Sequence, residues 1–381
     1  MSKSIAVLDP GSTRFKCGLS GEAVPKATFA SVIAMRADAD ATNASAAGLK
    51  KVNKDMHKAE FVGEEVLTQK QALNPVHYPI QRGEVKDWEH MELLYYQALH
   101  NELKIDPSQH AVFVVGSPLS TTRDREHIAQ IMFESFAVPR LRILDHAACC
   151  IVAAGKASGM VIEMGGSGTT VSPVYEGVTM RLNVQRANVG GADISAYIAK
   201  QLAQANPGGS KYDTPAQMER VKEIKHSVCQ VSETVLSKID PALATEYVLP
   251  DGQRVKVPAS AVVGAEGYFN PALIGATERP LNHLVHGSLA VCSDAVRTML
   301  LQNVVLSGGS SLFPGMIKRI ENEVNSVMKP KHIVKAIAPP EREYTAWLGG
   351  ATLAALGTFP QVCVSMADYN EFGPGIVRRH W

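Results

Sequence analysis

Two carboxylates, each standing where an apolar run meets a glycine turn, are the residues best placed for chemistry in this sequence. The first lies in Ile5-Ala6-Val7-Leu8-Asp9-Pro10-Gly11-Ser12, the second in Met160-Val161-Ile162-Glu163-Met164-Gly165-Gly166-Ser167-Gly168-Thr169-Thr170. Each reads as a buried strand running into a tight turn whose backbone N–H groups can wrap a phosphate. An acid at such a turn can face a phosphate-bound Mg²⁺ directly or through water. One such turn is weak evidence. A pair, one in each half of the chain, suggests a nucleotide clamped between two domains.

The elements around these turns alternate between strand and helix. Ile5 to Leu8, Phe15 to Leu19 and Ala27 to Ile33 read as strands, and Trp88 to Leu103 and Thr122 to Phe136 as helices. Ala111 to Gly116 reads as a strand buried on both faces, and Asp145 to Ala154 as an apolar helix leading to the second turn. The second half repeats the pattern more loosely. Ile194 to Ala205 is a helix opened by Gly190-Gly191, Pro215 to Ser237 a long polar helix, and Val304 to Leu306 a strand entering Ser307-Gly308-Gly309. A helix follows from Pro314, and another runs from Ala346 to Leu356. This order predicts an α/β fold of two lobes with glycine turns facing each other. Residues 36–58 have no apolar period and few large side chains, which predicts a mobile loop.

The chain has 381 residues and a formal charge of +1. That is long enough for two or more domains, and the balance favours neither a nucleic-acid nor a membrane partner. No apolar run reaches membrane-spanning length, and no leader resembling a secretion signal opens the sequence. The six cysteines are scattered, without a CxxC or zinc spacing. They read as small buried thiols in a reducing compartment, and they do not support a structural metal site.

The motifs, taken in order, resemble the actin and actin-related protein family over essentially the whole chain. The matching stretches are Asp9-Pro10-Gly11-Ser12, Tyr78-Pro79-Ile80, Gln130 to Glu134, Tyr175-Glu176-Gly177 and Leu249 to Gln253. Leu306 to Gly309, Ala338 to Arg342 and Trp347 to Gly350 complete them. The resemblance implies the actin-type fold: two lobes and four subdomains around a cleft holding ATP or ADP with Mg²⁺ or Ca²⁺. Subdomain 1 then comprises 1–30, 79–153 and 345–381, and subdomain 2 comprises 31–78. Subdomain 3 comprises 154–189 and 277–344, and subdomain 4 comprises 190–276. Carried over, Asp9, Gly11, Ser12, Thr13 and Lys16 form the first phosphate loop, and Gly165, Gly166, Ser167 and Gly168 the second. Gly190 and Gly191 approach the nucleotide, and Lys222, Lys225, Gly308, Gly309, Leu312 and Phe313 surround the adenosine. Asp9 and Glu163 face the metal.

The departures from the family pattern bear on catalysis. Glu163 and Gly166 stand where the second loop carries two Asp residues, which removes one anionic group near the metal. The Gln and His that orient the attacking water are replaced by His146 and Thr170. A misplaced water-positioning group can cost ~10²–10⁴ in rate. His146 either substitutes as the water-positioning residue or is a polar side chain facing the cleft. On the adenosine side His226 replaces a Glu, Lys222 an Arg and Glu343 a Lys, which predicts altered nucleotide affinity.

The partner surfaces have changed as well. The acidic N-terminal tail is replaced by Met1-Ser2-Lys3-Ser4, and paired acids have become Glu22-Ala23 and Ser108-Gln109. The subdomain-2 loop is longer and Lys-rich, through Lys50, Lys51, Lys54 and Lys58. Val152, Gly155, Ala157, Gly177, Leu353, Leu356 and Thr358 fall at positions of the hydrophobic barbed-end cleft, which receives a neighbour's loop or a partner's helix. The expectation is a divergent actin-related protein, a nucleotide-binding structural subunit of a cytoskeletal, axonemal or chromatin assembly. Its ATPase activity is impaired or absent, its place cytoplasmic and cytoskeletal, axonemal or nuclear. Its partners are proteins, actin or another actin-related protein among them, with no direct nucleic acid and no membrane. The first rival is an ATP-hydrolysing, filament-forming actin. The second is a sugar or acetate kinase of the same superfamily, which the actin-specific stretches outside the cleft disfavour.

Overall fold

The structure is a computed structural model that describes residues 4–35, 60–68, 76–328 and 333–380; the loop expected over 36–58 lies outside them. The chain divides into two compact units, one of residues 1–149 and 346–381, the other of residues 150–345.

The first unit is built on a sheet of β1 (Ala6–Pro10), β2 (Arg14–Leu19), β3 (Ala27–Ala30), β4 (Val112–Gly116) and β5 (Arg140–Asp145), with Val364–Ser365 at one edge. The order runs Val364–Ser365, β5, β4, β1, β2, β3; β1, β4 and β5 are parallel to one another and the rest antiparallel. Every residue of β4 is buried, as a central strand covered on both faces must be. Helices α1 (Trp88–Tyr96) and α2 (Thr122–Gln130) pack here, and each continues into a π-helical turn. Asp87 caps α1, and Thr121 with Asp124 forms a capping box on α2. Helix α3 (His146–Ala153) begins directly at the end of β5. Gly349 is the close approach that seats the helix Thr345–Ala354: a Cβ there would stand 1.8 Å from the Cys149 carbonyl oxygen. Trp347 is wholly buried and donates its indole N–H to the β1 carbonyl of Val7 at 3.0 Å.

The second unit repeats the hairpin plan. β6 (Gly159–Met164) and β7 (Thr169–Tyr175) are antiparallel, with β8 (Val178–Thr179) and β9 (Gln185–Ala187) on β7. On the other side β10 (Val304–Ser307) runs parallel to β6, and β11 (Ala336–Ile337) parallel to β10. Helices α4 (Gly191–Ala205), α5 (Pro215–Val228) and α6 (Met316–Met328) enclose the core, which includes Ile162, Ile198, Leu202, Ile224, Leu306 and Ile320.

Two elements differ from the sequence expectation. The strand expected over Ala27 to Ile33 breaks at Ser31, whose N–H donates to Thr13 O at 3.0 Å and whose hydroxyl donates to Gly11 O at 2.6 Å. Those bonds turn the chain from β3 into the short strand Ile33–Met35 of a separate sheet. The helix expected to reach Ser237 stops at Val228, because the following backbone bonds elsewhere: Gln230 N–H to Val262 O at 3.0 Å and Val231 N–H to Pro314 O at 2.9 Å. All six cysteines are free and buried, as their scatter suggested. Among the described residues no helix is long and apolar enough to cross a membrane.

Candidate functional site

Each unit carries an acid at the tip of a hairpin, and each acid is met across the hairpin by the residue seven positions on. In the first unit Asp9 opposes Lys16, whose ammonium donates to Asp9 Oδ2 at 2.9 Å. Asp9 is buried, so the ion pair is shielded on most sides and holds both groups in one orientation. Between them Gly11, Ser12 and Thr13 form a partly exposed turn. Gly11 leaves no room for a side chain, since a Cβ would lie 2.6 Å from Arg14 O. The two Ser31 bonds noted above tie this turn to the chain after β3.

In the second unit Glu163 opposes Thr170, which donates its hydroxyl to Glu163 Oε2 at 3.1 Å. Gly165 to Gly168 form the turn, closed by the Gly165 N–H on Gly168 O at 3.0 Å. The start of α4 is joined to this turn: Gly191 N–H donates to Gly165 O at 3.0 Å and Ala192 N–H to Gly166 O at 2.8 Å. Two of the helix's orphan donors are thereby satisfied by loop carbonyls. A Cβ on Gly190 would stand 2.4 Å from Gly168 N and 2.6 Å from Gly166 O, so only glycine permits this approach. Gly308, at φ 88°, likewise lies against the Met164 carbonyl, 2.4 Å from where its Cβ would be. Ser310 donates to Gly165 O at 3.4 Å. The second turn, Gly190-Gly191 and Gly308-Gly309 thus form one contiguous backbone surface. Gly309 faces open space, where a ligand can approach the backbone.

Lys225 on α5 is buried behind this surface, donating to Gly191 O at 3.0 Å and to the Ser195 hydroxyl oxygen at 2.9 Å. Burial, and then the neighbouring Lys222 charge, lowers its pKa from an ordinary 10.5 to about 8. Lys222 pairs with Glu219 at 2.5 Å, one turn back on the same helix. His226 has its imidazole pKa lowered by desolvation and then by Lys225 and Lys222, with Glu219 and Glu343 pulling the other way. Leu312 is exposed at the end of the 3₁₀ turn Gly309–Leu312, and Phe313 is buried. His146 is half-buried at the first position of α3, next to Asp145, whose carboxylate is paired with the buried Arg125 guanidinium.

The residues expected at the docking cleft divide between the units. In the second, Val152 lies in the last turn of α3 and its carbonyl accepts from the N–H of Gly155, two residues past the helix end, at 2.9 Å, and Ala157 accepts from the Gly177 N–H at 2.8 Å. In the first, Leu353 is half-buried and Leu356 exposed, where the helix Thr345–Ala354 ends.

Sequence reasoning did not single out several residues that hold the site. Arg342 donates through Nε to Ser311 Oγ and through Nη2 to Ser311 O, each at 3.0 Å, while its own carbonyl accepts from Gly308 N–H at 3.0 Å. It fixes the Gly308–Leu312 turn from behind. Asp193 accepts from Gly190 N–H at 2.9 Å, and Ser195 donates to Gly191 O at 2.8 Å. The only sequence signal for Arg342 was its place after Pro339-Pro340-Glu341.

A family model described as Actin matches residues 2–381. The chain belongs to the actin family. It is 32% identical over 379 residues to a protein of Neurospora crassa described as "Actin-like protein", an alignment covering 97% of this chain and 96% of that one. The mixed α/β architecture of the two units agrees with the actin-type fold. Proteins of the actin family bind a nucleotide together with a divalent cation. Each unit by itself carries a hard oxygen donor of the kind Mg²⁺ and Ca²⁺ take, the carboxylate of Asp9 in the first and that of Glu163 in the second. The open face of Gly309 suits a nucleotide lying against the backbone.

Proposed function

We propose that this actin-family chain is a nucleotide-binding structural subunit of a larger assembly, with weak or absent ATP hydrolysis. The observation that carries the reading is the Thr170–Glu163 hydrogen bond at 3.1 Å. A hydroxyl at position 170 ties down the acid and supplies no base near neutral pH. Gly166, the other changed position of the loop, offers only backbone. A bound divalent cation would neutralise phosphate charge, and Asp9 with Glu163 would hold it. What the chain lacks around them is a second loop carboxylate and a histidine at position 170 to orient water. Phosphoryl transfer depends on such positioning and electrostatics.

In the same reading Lys16, the Gly11–Thr13 turn and the Gly165–Gly168 turn grip phosphates, while Lys225, Lys222 and the Gly308–Phe313 segment serve the nucleoside. Val152, Gly155, Gly177, Leu353 and Leu356 serve a protein partner, actin or another actin-related protein, through the barbed-end cleft. The setting is cytoskeletal in the cytoplasm, axonemal or nuclear. The test is purification of the native protein from its source, followed by sedimentation under polymerising salt. The reading predicts defined co-purifying subunits and no long filaments. A chain that emerges alone and pellets as long filaments contradicts it.

A further inference from the structure

Away from the nucleotide loops, three metal-ligating side chains converge in the first unit. One ligand atom from each of His77, Asp87 and His90 lies within 4.8 Å of the other two. Local structure builds this convergence. His77 ends the short strand Val76–His77, where it pairs with Ile33. The chain then reverses through the hairpin Ile80–Gln81 and Glu84–Val85. Its turn residues Arg82 and Gly83 have φ of 51° and 71°, the positive pair that a type I′ turn requires. Lys86 N–H closes the hairpin base on Pro79 O at 2.8 Å.

The next residue, Asp87, caps α1: its Oδ1 accepts from His90 N–H at 3.0 Å and its Oδ2 lies 2.5 Å from His90 Nδ1. The His77 ring stacks on the His90 ring, with centroids 4.3 Å apart and planes at 18°. A strand, a hairpin and a helix cap therefore hold two stacked imidazoles with a carboxylate against the edge of one of them. All three residues are partly exposed, so an ion can enter and keep a water ligand.

We propose that His77, Asp87 and His90 form a binding site for a divalent transition-metal ion of the Zn²⁺ class. Two imidazoles and one carboxylate match the donors that Zn²⁺ and Co²⁺ accept, with bonds of about 2.0–2.2 Å. Mg²⁺ and Ca²⁺ prefer all-oxygen shells and are disfavoured here. The bound ion would fasten the strand that carries His77 to the first turn of α1. This site is independent of the nucleotide reading, because it shares no residue with the phosphate or adenosine loops.

The test titrates Co²⁺ and Zn²⁺ into the full-length protein kept in Mg²⁺-nucleotide, beside a His77→Gln/His90→Gln double variant that controls for metal bound by nucleotide phosphates. The expected result is one equivalent of Co²⁺ giving visible ligand-field bands, absent from the variant. Zn²⁺ affinity should fall at least ~10-fold in the variant, a loss no smaller than that from removing an outer-shell partner of a metal ligand. A second measurement needs no variant: Zn²⁺ should slow diethyl pyrocarbonate modification of His77 and His90 but not of the exposed His283 and His286. Equal Zn²⁺ affinity in the two proteins, no ligand-field bands in the wild type, or unchanged modification rates would each overturn the proposal.

Discussion

Replacing Lys225 with Met tests whether the second unit is built around a buried ammonium. Lys225 is 5% exposed, and its ammonium donates to Gly191 O at 3.0 Å and Ser195 Oγ at 2.9 Å. A pKa lowered from 10.5 to about 8 amounts to roughly 3 kcal/mol of differential stabilisation. The sign follows from which state holds the proton. Between about pH 8 and 10.5 the unfolded lysine is charged and the folded one neutral, so the unfolded chain binds more protons and stability rises with pH. Cys229 works in the opposite sense: burial raises its thiol pKa from 9.0 to about 12, so its ionisation on unfolding erodes stability as pH rises.

Lys225→Met removes the first effect and keeps the thiol. It also leaves Gly191 O with a partner, because Ser195 donates there at 2.8 Å. The assay is urea unfolding of both proteins, under matched nucleotide, in steps from about pH 7 to 10. The stability of the wild type relative to the variant should grow by about 2–3 kcal/mol over that range. A difference that does not change with pH would refute the buried ammonium.

Three further substitutions probe the packing behind the site. Gly190→Ala drives a Cβ to 2.4 Å from Gly168 N, a backbone atom that cannot step aside. It should cost at least about 1–3 kcal/mol in chemical denaturation and weaken binding of a fluorescent nucleotide. Arg319→Ala strips the shared partner from Glu266 and Glu323, each 2.9 Å from its guanidinium, and should cost about 3–5 kcal/mol. Burial already raises the Glu266 pKa, so the loss measured by urea unfolding should shrink as pH falls and the carboxyl protonates. Trp347→Phe leaves the buried Val7 carbonyl without its 3.0 Å side-chain donor and should cost about 1–3 kcal/mol by the same assay.

The parts of the fold legible in the sequence were those with strong local signals. β1, β4, β6 and β10 are short apolar runs, three of them ending in glycine turns, and each is a buried strand. The signals failed where distant backbone competes for hydrogen bonds. Nothing near Ser31 announces that Gly11 and Thr13 will bend the chain there, and nothing near Cys229 announces that Val262 and Pro314 will capture the residues after it.

The candidate site divides in the same way. The acids and glycines could be read from their turns, whereas Arg342 acts across 31 residues and Ser310 across 145. The burial of Lys225 likewise depends on contacts 30 and 34 residues away. His77, Asp87 and His90 escaped notice because only a completed hairpin and helix cap bring them together.

The most direct test of the central claim is single-turnover hydrolysis of bound ATP by the wild type, His146→Ala and Thr170→His. The account predicts that ATP binds, that turnover is slow, and that removing His146 changes it little. Thr170→His should raise the rate, because it frees Glu163 from the 3.1 Å hydroxyl contact and places an imidazole at the loop. A clear wild-type rate that collapses in His146→Ala would contradict the account and make the chain an active ATPase with His146 positioning the water.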